Sequence, residues 1–161
     1  MDADSDLPVA AVAASANENE KKHVEELLDK ASLVVDGFEA VVADSQYSSR
    51  RVRDCILEFG AKPVVPYMSN QARGEPVLRV DRFFRTSGSA GERRIYGLVR
   101  ASVERVNSRL EFVGLGCLKL RGLRRVMVHV LLCIIVMLLV AVAALRLGRP
   151  WKAWSLVSFW W

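Results

Sequence analysis

Two acidic residues, Glu104 and Asp44, lie in sequence contexts where a carboxylate could bind a metal ion. Glu104 lies in RASVERVNSRL, among Arg100, Arg105 and Arg109. An acid in that setting either forms ion pairs on a solvated helix face or binds a metal ion in a basic groove that holds a polyanion. Asp44 ends the apolar run of FEAVVAD. By itself such an acid is more typical of a turn or a helix cap.

The chemistry that such acids could perform together is two-metal phosphoryl transfer. It requires carboxylates that converge from different elements, and Mg²⁺ prefers oxygen ligands. An aspartate at a strand end and a later glutamate on a helix supply two such ligands. Asp44 and Glu104 are therefore the candidate catalytic and metal-binding residues.

Alternating strand and helix patterns predict how these acids are positioned. Short apolar runs bounded by polar residues indicate strands, and apolar residues three and four apart indicate helices. The predicted strands are Leu7–Ala14, Phe38–Ala43 and the stretch AKPVVPY; the predicted helices are ANENEKKHVEELLDKA, SRRVRDCILEFG, one starting at Leu98 and one over Val126–Leu145; residues 67–95 are predicted as a loop. This order favours an α/β fold with parallel strands, whose carboxyl ends carry functional groups, and Asp44 lies at such an end.

The predicted helix around Glu104 has an apolar stripe. Its members share spacings of three and four residues and are Val99, Val103, Val106, Leu110 and Val113. Glu104 lies at the edge of the stripe. We expect the stripe to pack on the sheet, which would turn Glu104 toward Asp44.

Composition and charge narrow the possible partners. Apolar residues make up 52% of the 161 residues, which argues against disorder as the overall class. Residues 1–30 hold eight acids and three bases, a net charge of −5, whereas the remainder holds ten acids and twenty bases, a net of +10. A basic body favours nucleic acid or an anionic membrane surface. The three cysteines form no CxxC pair and there are two histidines, so a zinc site is not expected.

Several stretches resemble the DDE transposases of insertion sequences. VVADSQYSSRRVRDCILEFGAKPVVPY is similar to the segment of the second aspartate, and RASVERVNSRL is similar to the glutamate helix. LKLRGLRRVMVHVLL resembles the element that follows, and LPVAAVAASANENEKKHVEELLDKA resembles the segment between the first two aspartates. The resemblance covers most of the chain.

The resemblance implies a partial ribonuclease H-like fold, with a mixed sheet, flanking helices and a long apolar C-terminal helix. It makes Asp44 the second acid and Glu104 the third, both ligands of Mg²⁺ or Mn²⁺, and it places Arg100 and Arg105 at DNA. Arg100 keeps the family's spacing to the glutamate. Tyr96 is one residue too far from Arg100, and Glu111 occupies the position of a lysine.

The first acid of the family lies upstream of the segment that matches from Leu7. We therefore expect residues 1–147 to be a truncated catalytic domain, with the apolar helix at 126–147, followed by a basic, tryptophan-rich tail at 148–161. The expected function is transposase-type DNA strand cleavage and transfer, in a truncated and inactive copy. The expected partners are the DNA ends of the element, with a second copy or a full-length transposase, in the cytoplasm.

Two alternatives remain open. One is a DNA-binding remnant without catalysis. The other is a small membrane protein that spans the bilayer through residues 126–145, because basic residues flank this run on both sides and Trp151 and Trp154 follow it.

Overall fold

The computed structural model describes residues 1–68 and 90–157. Its regular elements, in chain order, are α1 (Val24–Ser32), β1 (Ala40–Val42), α2 (Arg50–Glu58), β2 (Lys62–Val64), α3 (Ala90–Phe112) and α4 (Leu123–Arg146). The chain forms two compact units. We call Ala16–Arg100 the sheet unit, and Met1–Ser15 with Ala101–Trp161 the helical unit. The boundary between them falls within α3.

A small parallel sheet organises the sheet unit. β1 pairs with β2 in register Ala40 to Lys62 and Val42 to Val64, and α2 connects the two strands. This β–α–β order confirms two of the predicted strands and their parallel pairing. Beneath them lies one apolar cluster whose buried members are Leu28, Val52, Ile56, Ala61 and Val65.

Local capping determines where the helices of this unit begin and end. The Asn19 side chain accepts a hydrogen bond from the backbone N–H of Lys21 and starts a 3₁₀ turn that leads into α1. The Ser49 hydroxyl accepts from the backbone N–H of Val52, at 3.2 Å, and starts α2. α2 ends at Glu58, and Gly60, two residues later, has a φ of +75°, which suits a residue without a Cβ.

The predicted strand over Leu7–Ala14 is wrong. Leu7 forms one isolated antiparallel bridge with Asp2, and residues 8–15 contain no strand. Strand propensity depends on a neighbouring strand to bond with, and here the segment folds back on its own first residues instead.

The predicted loop at 67–95 is wrong at its carboxyl end, because α3 already begins at Ala90. The stretch AGERR contains good helix formers as well as a glycine, and the helix continues through both Gly91 and Gly97. Residues 69–89, the rest of that predicted loop, lie outside the described part of the chain.

The helical unit is built around α4, which confirms the helix predicted over Val126–Leu145. Its second apolar cluster contains buried Val106, Met137 and Leu156. The later part of the predicted stripe, Val106 with Leu110 and Val113, therefore packs in this cluster instead of on a sheet. The division into a domain at 1–147 and a tail at 148–161 stays a prediction.

Candidate functional site

Asp44 lies two residues after β1, at the carboxyl end of a parallel strand, as expected. Its side chain is exposed and accepts a hydrogen bond from the backbone N–H of Gln46. This contact caps the 3₁₀ turn Ser45–Tyr47. Asp44 thus has the local role of a turn cap, and its carboxylate remains at the surface of the sheet unit.

The negative charge of Asp44 contributes to raising the pKa of two tyrosines in the sheet unit. Burial, together with a 2.9 Å hydrogen bond to Glu20, raises the pKa of Tyr47 to about 12. Burial also raises the pKa of Tyr96, with a smaller contribution from the negative charge of Asp44, while Arg100 opposes the rise. Tyr96 and Arg100 are four residues apart, one turn of α3, and the charge of Asp44 acts on the Tyr96 side chain.

Glu104 belongs to the helical unit, on the continuation of α3. Its side chain is exposed and lines an open cleft of about 810 Å³. Its lining residues are Asp6, Ala101, Glu104, Arg105, Ser108, Arg109 and Trp154. Asp44 and Glu104 lie in different units, so their predicted approach to each other stays a prediction.

The most tightly bonded cluster in this cleft centres on Asp6. The Arg105 guanidinium donates two hydrogen bonds to the Asp6 carboxylate, from Nε to Oδ2 at 2.6 Å and from Nη2 to Oδ1 at 3.0 Å. The buried hydroxyl of Ser102 donates to the same carboxylate. Arg109 donates to the backbone carbonyl of Asp6 at 3.0 Å, and its guanidinium lies 3.7 Å from the carboxylate.

This cluster favours the charged form of the Asp6 carboxylate. The hydrogen bond from Arg105 holds the pKa of Asp6 below its usual value, against the opposing effect of burial. Ser102 and the charge of Arg109 lower the pKa further. Arg105, a predicted DNA contact, is therefore engaged by an acid of the same chain.

Asp6 was not singled out from the sequence as a partner of Arg105. Ninety-nine positions separate the two residues, so no local pattern connects them. Two features of the sequence are consistent with this pairing. The first 30 residues are acidic, and the spacing of Ser102, Arg105 and Arg109 places all three on one face of α3.

A complete metal site does not form among the described residues. Within residues 1–68 and 90–157, no group of three or more His, Cys, Asp or Glu side chains comes together. Mg²⁺ and Mn²⁺ need several oxygen ligands on one ion. Metal binding by Asp44 and Glu104, which lie in different units, stays a prediction.

Comparison with known proteins identifies the class. Residues 1–140 match the family model described as the transposase DDE domain. That match covers most of the 161 residues, and the chain therefore belongs to the transposase DDE domain family. No curated protein and no solved structure matched the chain.

Family membership confirms the resemblance seen in the sequence. It implies transposase activity on DNA, a ribonuclease H-like fold and the use of divalent metal ions by the family. Within the described residues, the fold is helix-rich with a small parallel sheet of two strands.

Proposed function

We propose that this chain is a DNA-binding transposase domain of the strand-cleavage and strand-transfer class. The family match over residues 1–140 carries the proposal. The arginines of α3 support it, because guanidinium groups bind the phosphates of a DNA backbone in a bidentate manner. The net charge of +10 after residue 30 adds a general attraction for DNA.

Each of the four site residues has a proposed role. Asp44 and Glu104 are ligands of Mg²⁺ or Mn²⁺, and Arg100 and Arg105 contact DNA phosphates. An ion held there would supply activation of the attacking oxygen and stabilisation of the leaving oxygen. Tyr96 and Glu111 depart from the family's pattern around Glu104, and we further propose that this polypeptide by itself binds DNA without cutting it.

The same proposal gives the substrate, the partner and the cellular location of the protein. The substrate is the DNA end of a mobile element, and the further partner is a second copy of this chain or a full-length transposase. The protein acts in the cytoplasm. A binder that cannot cut would compete with the full-length enzyme for the same DNA ends.

DNA binding is tested with charge-matched variants. The Arg100→Gln/Arg105→Gln double variant removes two positive charges from α3. Arg146→Gln/Arg149→Gln removes two exposed charges at, and three residues after, the end of α4. Fluorescence anisotropy with a labelled duplex should show a loss of roughly tenfold or more for the α3 pair, about the effect of one lost charge-assisted contact. Equal losses in the two variants would contradict a role specific to α3.

Strand cleavage is tested with supercoiled plasmid in the presence of Mg²⁺ or Mn²⁺. We expect no nicking by the wild-type chain above that of an Asp44→Ala sample prepared in parallel. Metal-dependent nicking that disappears in Asp44→Ala and Glu104→Gln would show that the chain is an active nuclease and would overturn the proposal of binding without cutting.

A specific observation favours a second function, membrane association through α4. The helix is long and apolar enough to cross a bilayer, and only 17% of its most apolar 18-residue stretch is buried. Basic residues lie at both ends, among them Arg124, Arg125 and Arg149, and Trp151 is 68% exposed. Positive charges and tryptophans at helix ends suit the headgroup region of an anionic bilayer.

Flotation with lipid vesicles tests this second function. A membrane protein would float with vesicles that contain phosphatidylserine, and Leu139→Asp, which places a charge on the exposed apolar face, would reduce the floated fraction. A wild-type chain that stays in the dense fraction with both phosphatidylserine and pure phosphatidylcholine vesicles excludes the membrane candidate.

A further inference from the structure

One face of α3 presents more hydrogen-bond donors than its carboxylate partner uses. Ser102, Arg105 and Arg109 are spaced by three and four residues, and all three point donors at Asp6. The Arg109 Nη1 atom is buried and has no hydrogen-bond partner within the described residues. An unpaired buried donor is costly, and a ligand with more acceptor oxygens than a carboxylate would satisfy it.

The geometry around Asp6 resembles that of an arginine-bound phosphate. Arg105 approaches the carboxylate through Nε and Nη2, the forked arrangement that guanidinium groups adopt with carboxylates and phosphates alike. A hydroxyl donor completes the set, as serine side chains often do at DNA phosphates. A phosphodiester group has two non-bridging oxygens that share one negative charge and two further ester oxygens, so it offers three donor side chains more acceptors than one carboxylate does.

The segment that carries Asp6 is a short loop folded onto this face. Its backbone closes through the N–H of Asp2, which donates to the carbonyl of Leu7 at 2.9 Å. Trp154 donates from Nε1 to the carbonyl of Ser5 at 2.6 Å. Asp6 has a φ of +50°, the one positive value at a non-glycine residue in the described ranges. Such a conformation is unfavourable for most side chains, and the contacts to α3 hold it in place.

We propose that Ser102, Arg105 and Arg109 form a binding site for a DNA phosphodiester, and that Asp6 occupies it as an internal phosphate mimic. The loop of residues 1–7 is then an autoinhibitory plug that DNA must displace. The proposal rests on the DNA-binding function proposed above. It explains why Arg105 is paired with an acid of its own chain and why Arg109 retains an unused donor.

A charge-matched pair of variants tests the plug. Asp6→Asn removes the competing charge, and asparagine tolerates a positive φ, so the loop remains foldable. Asp4→Asn removes the same charge from an exposed position of the same loop. By anisotropy, Asp6→Asn should bind a labelled duplex roughly tenfold more tightly than Asp4→Asn, the scale of one charge-assisted interaction. Arg105→Gln added to Asp6→Asn should cancel the gain.

The outcomes separate the plug from the DNA-binding function. If all variants bind DNA and Asp6→Asn equals Asp4→Asn, the plug is refuted and the DNA-binding function stands. If no variant binds DNA at low salt, both are refuted. If inorganic phosphate at millimolar concentration displaces DNA from Asp6→Asn but not from its Arg105→Gln derivative, the site recognises phosphate itself, which supports the proposal.

Hydrogen exchange on the wild-type chain provides a measurement without substitution. Added duplex should accelerate exchange at the backbone N–H groups of Asp2 and Ser5, which are hydrogen-bonded in the plug. Exchange at α2, which is not part of the plug, should stay unchanged. Unaltered or slower exchange of residues 1–7 in the DNA-bound protein would overturn the proposal.

Discussion

The carboxylate of Asp6 is compensated by a bidentate arginine, a serine hydroxyl and a second arginine. Its pKa is lowered below the reference value of 3.8 mainly by the hydrogen bond from Arg105. A carboxylate with a depressed folded-state pKa stabilises the fold fully above its unfolded pKa. That contribution is lost as the pH falls through the lower, folded-state value.

The stability of the wild-type chain should therefore exceed that of Asp6→Asn at neutral pH but not in acid. Thermal unfolding followed by circular dichroism should give a constant difference in Tm from pH 7 down to about pH 5. The difference should then shrink below about pH 4, where the unfolded aspartate becomes protonated. A difference in Tm that persists undiminished to pH 2 would contradict stabilisation by the charged Asp6 carboxylate.

Arg53 has a structural role in the sheet unit. It donates to the carbonyl of Val65 at 2.7 Å and to the buried hydroxyl of Ser48, and its guanidinium lies 4.1 Å from the ring centroid of Tyr67. Arg53→Lys keeps the charge but loses the planar fork, and we expect it to lower the free energy of unfolding by about 1–3 kcal/mol.

The matched control for Arg53 is Arg50→Lys, three positions earlier on α2. Arg50 is 95% exposed and forms an ion pair with Asp54 at 3.6 Å. Exposed pairs of this kind contribute little, so urea denaturation should not distinguish Arg50→Lys from the wild type. Equal destabilisation by both substitutions would show that the contacts of Arg53 do not stabilise the fold.

The sequence predicted individual residues where the determinant was local. Asp44 was placed at a strand end from the apolar run before it, and β1 indeed ends two residues earlier. The partner of Arg105 was missed because it depends on a contact across almost the whole chain. The spacing of Ser102, Arg105 and Arg109 is visible in the sequence, but only the folded chain reveals that they share Asp6 as a partner.

Among the elements, α4 has two different apolar faces. Cys133, Met137, Ala141 and Ala144 are buried, while Leu132, Leu139 and Leu145 are more than half exposed. The period of about four residues between the buried positions is that of a helix with one packed side. Apolar composition alone therefore predicted the helix correctly but did not reveal which of its sides packs.

Substitutions on the two faces should differ in their effect on stability. Met137 is 2% exposed and belongs to the cluster with Val106 and Leu156, so Met137→Ala should cost about 2–5 kcal/mol. Leu139, two positions later, is 62% exposed, and Leu139→Ala should leave the urea midpoint nearly unchanged. A larger loss for Leu139→Ala would contradict the packing of α4 described here.

Elements were predictable from sequence where periodicity and caps agreed. α2 has a serine cap, an apolar face and a glycine stop, and it was predicted with these features. The strand expected at Leu7–Ala14 had only an apolar run in its favour, and such a run forms a strand only beside a hydrogen-bonding neighbour. Strand formation at this position is thus decided by tertiary contacts that the sequence does not encode locally.

Over the whole chain, charge is divided between an acidic start and a basic remainder. The first 30 residues carry a net charge of −5 and the remainder +10. In the proposed function the basic part attracts DNA, and one acid of the first segment competes with it at α3. Family membership supplies the reaction class, whereas the arrangement of charges determines how this chain would engage its substrate.

The salt dependence of duplex binding by the wild-type chain tests this account most directly. Each phosphate neutralised contributes a slope of about −0.9 to log K against log salt concentration. With at least two phosphates bound by arginines, we expect a slope of roughly −2 or steeper between low and physiological salt. A chain that binds DNA with an affinity independent of salt, or that does not bind it at all, would contradict the account.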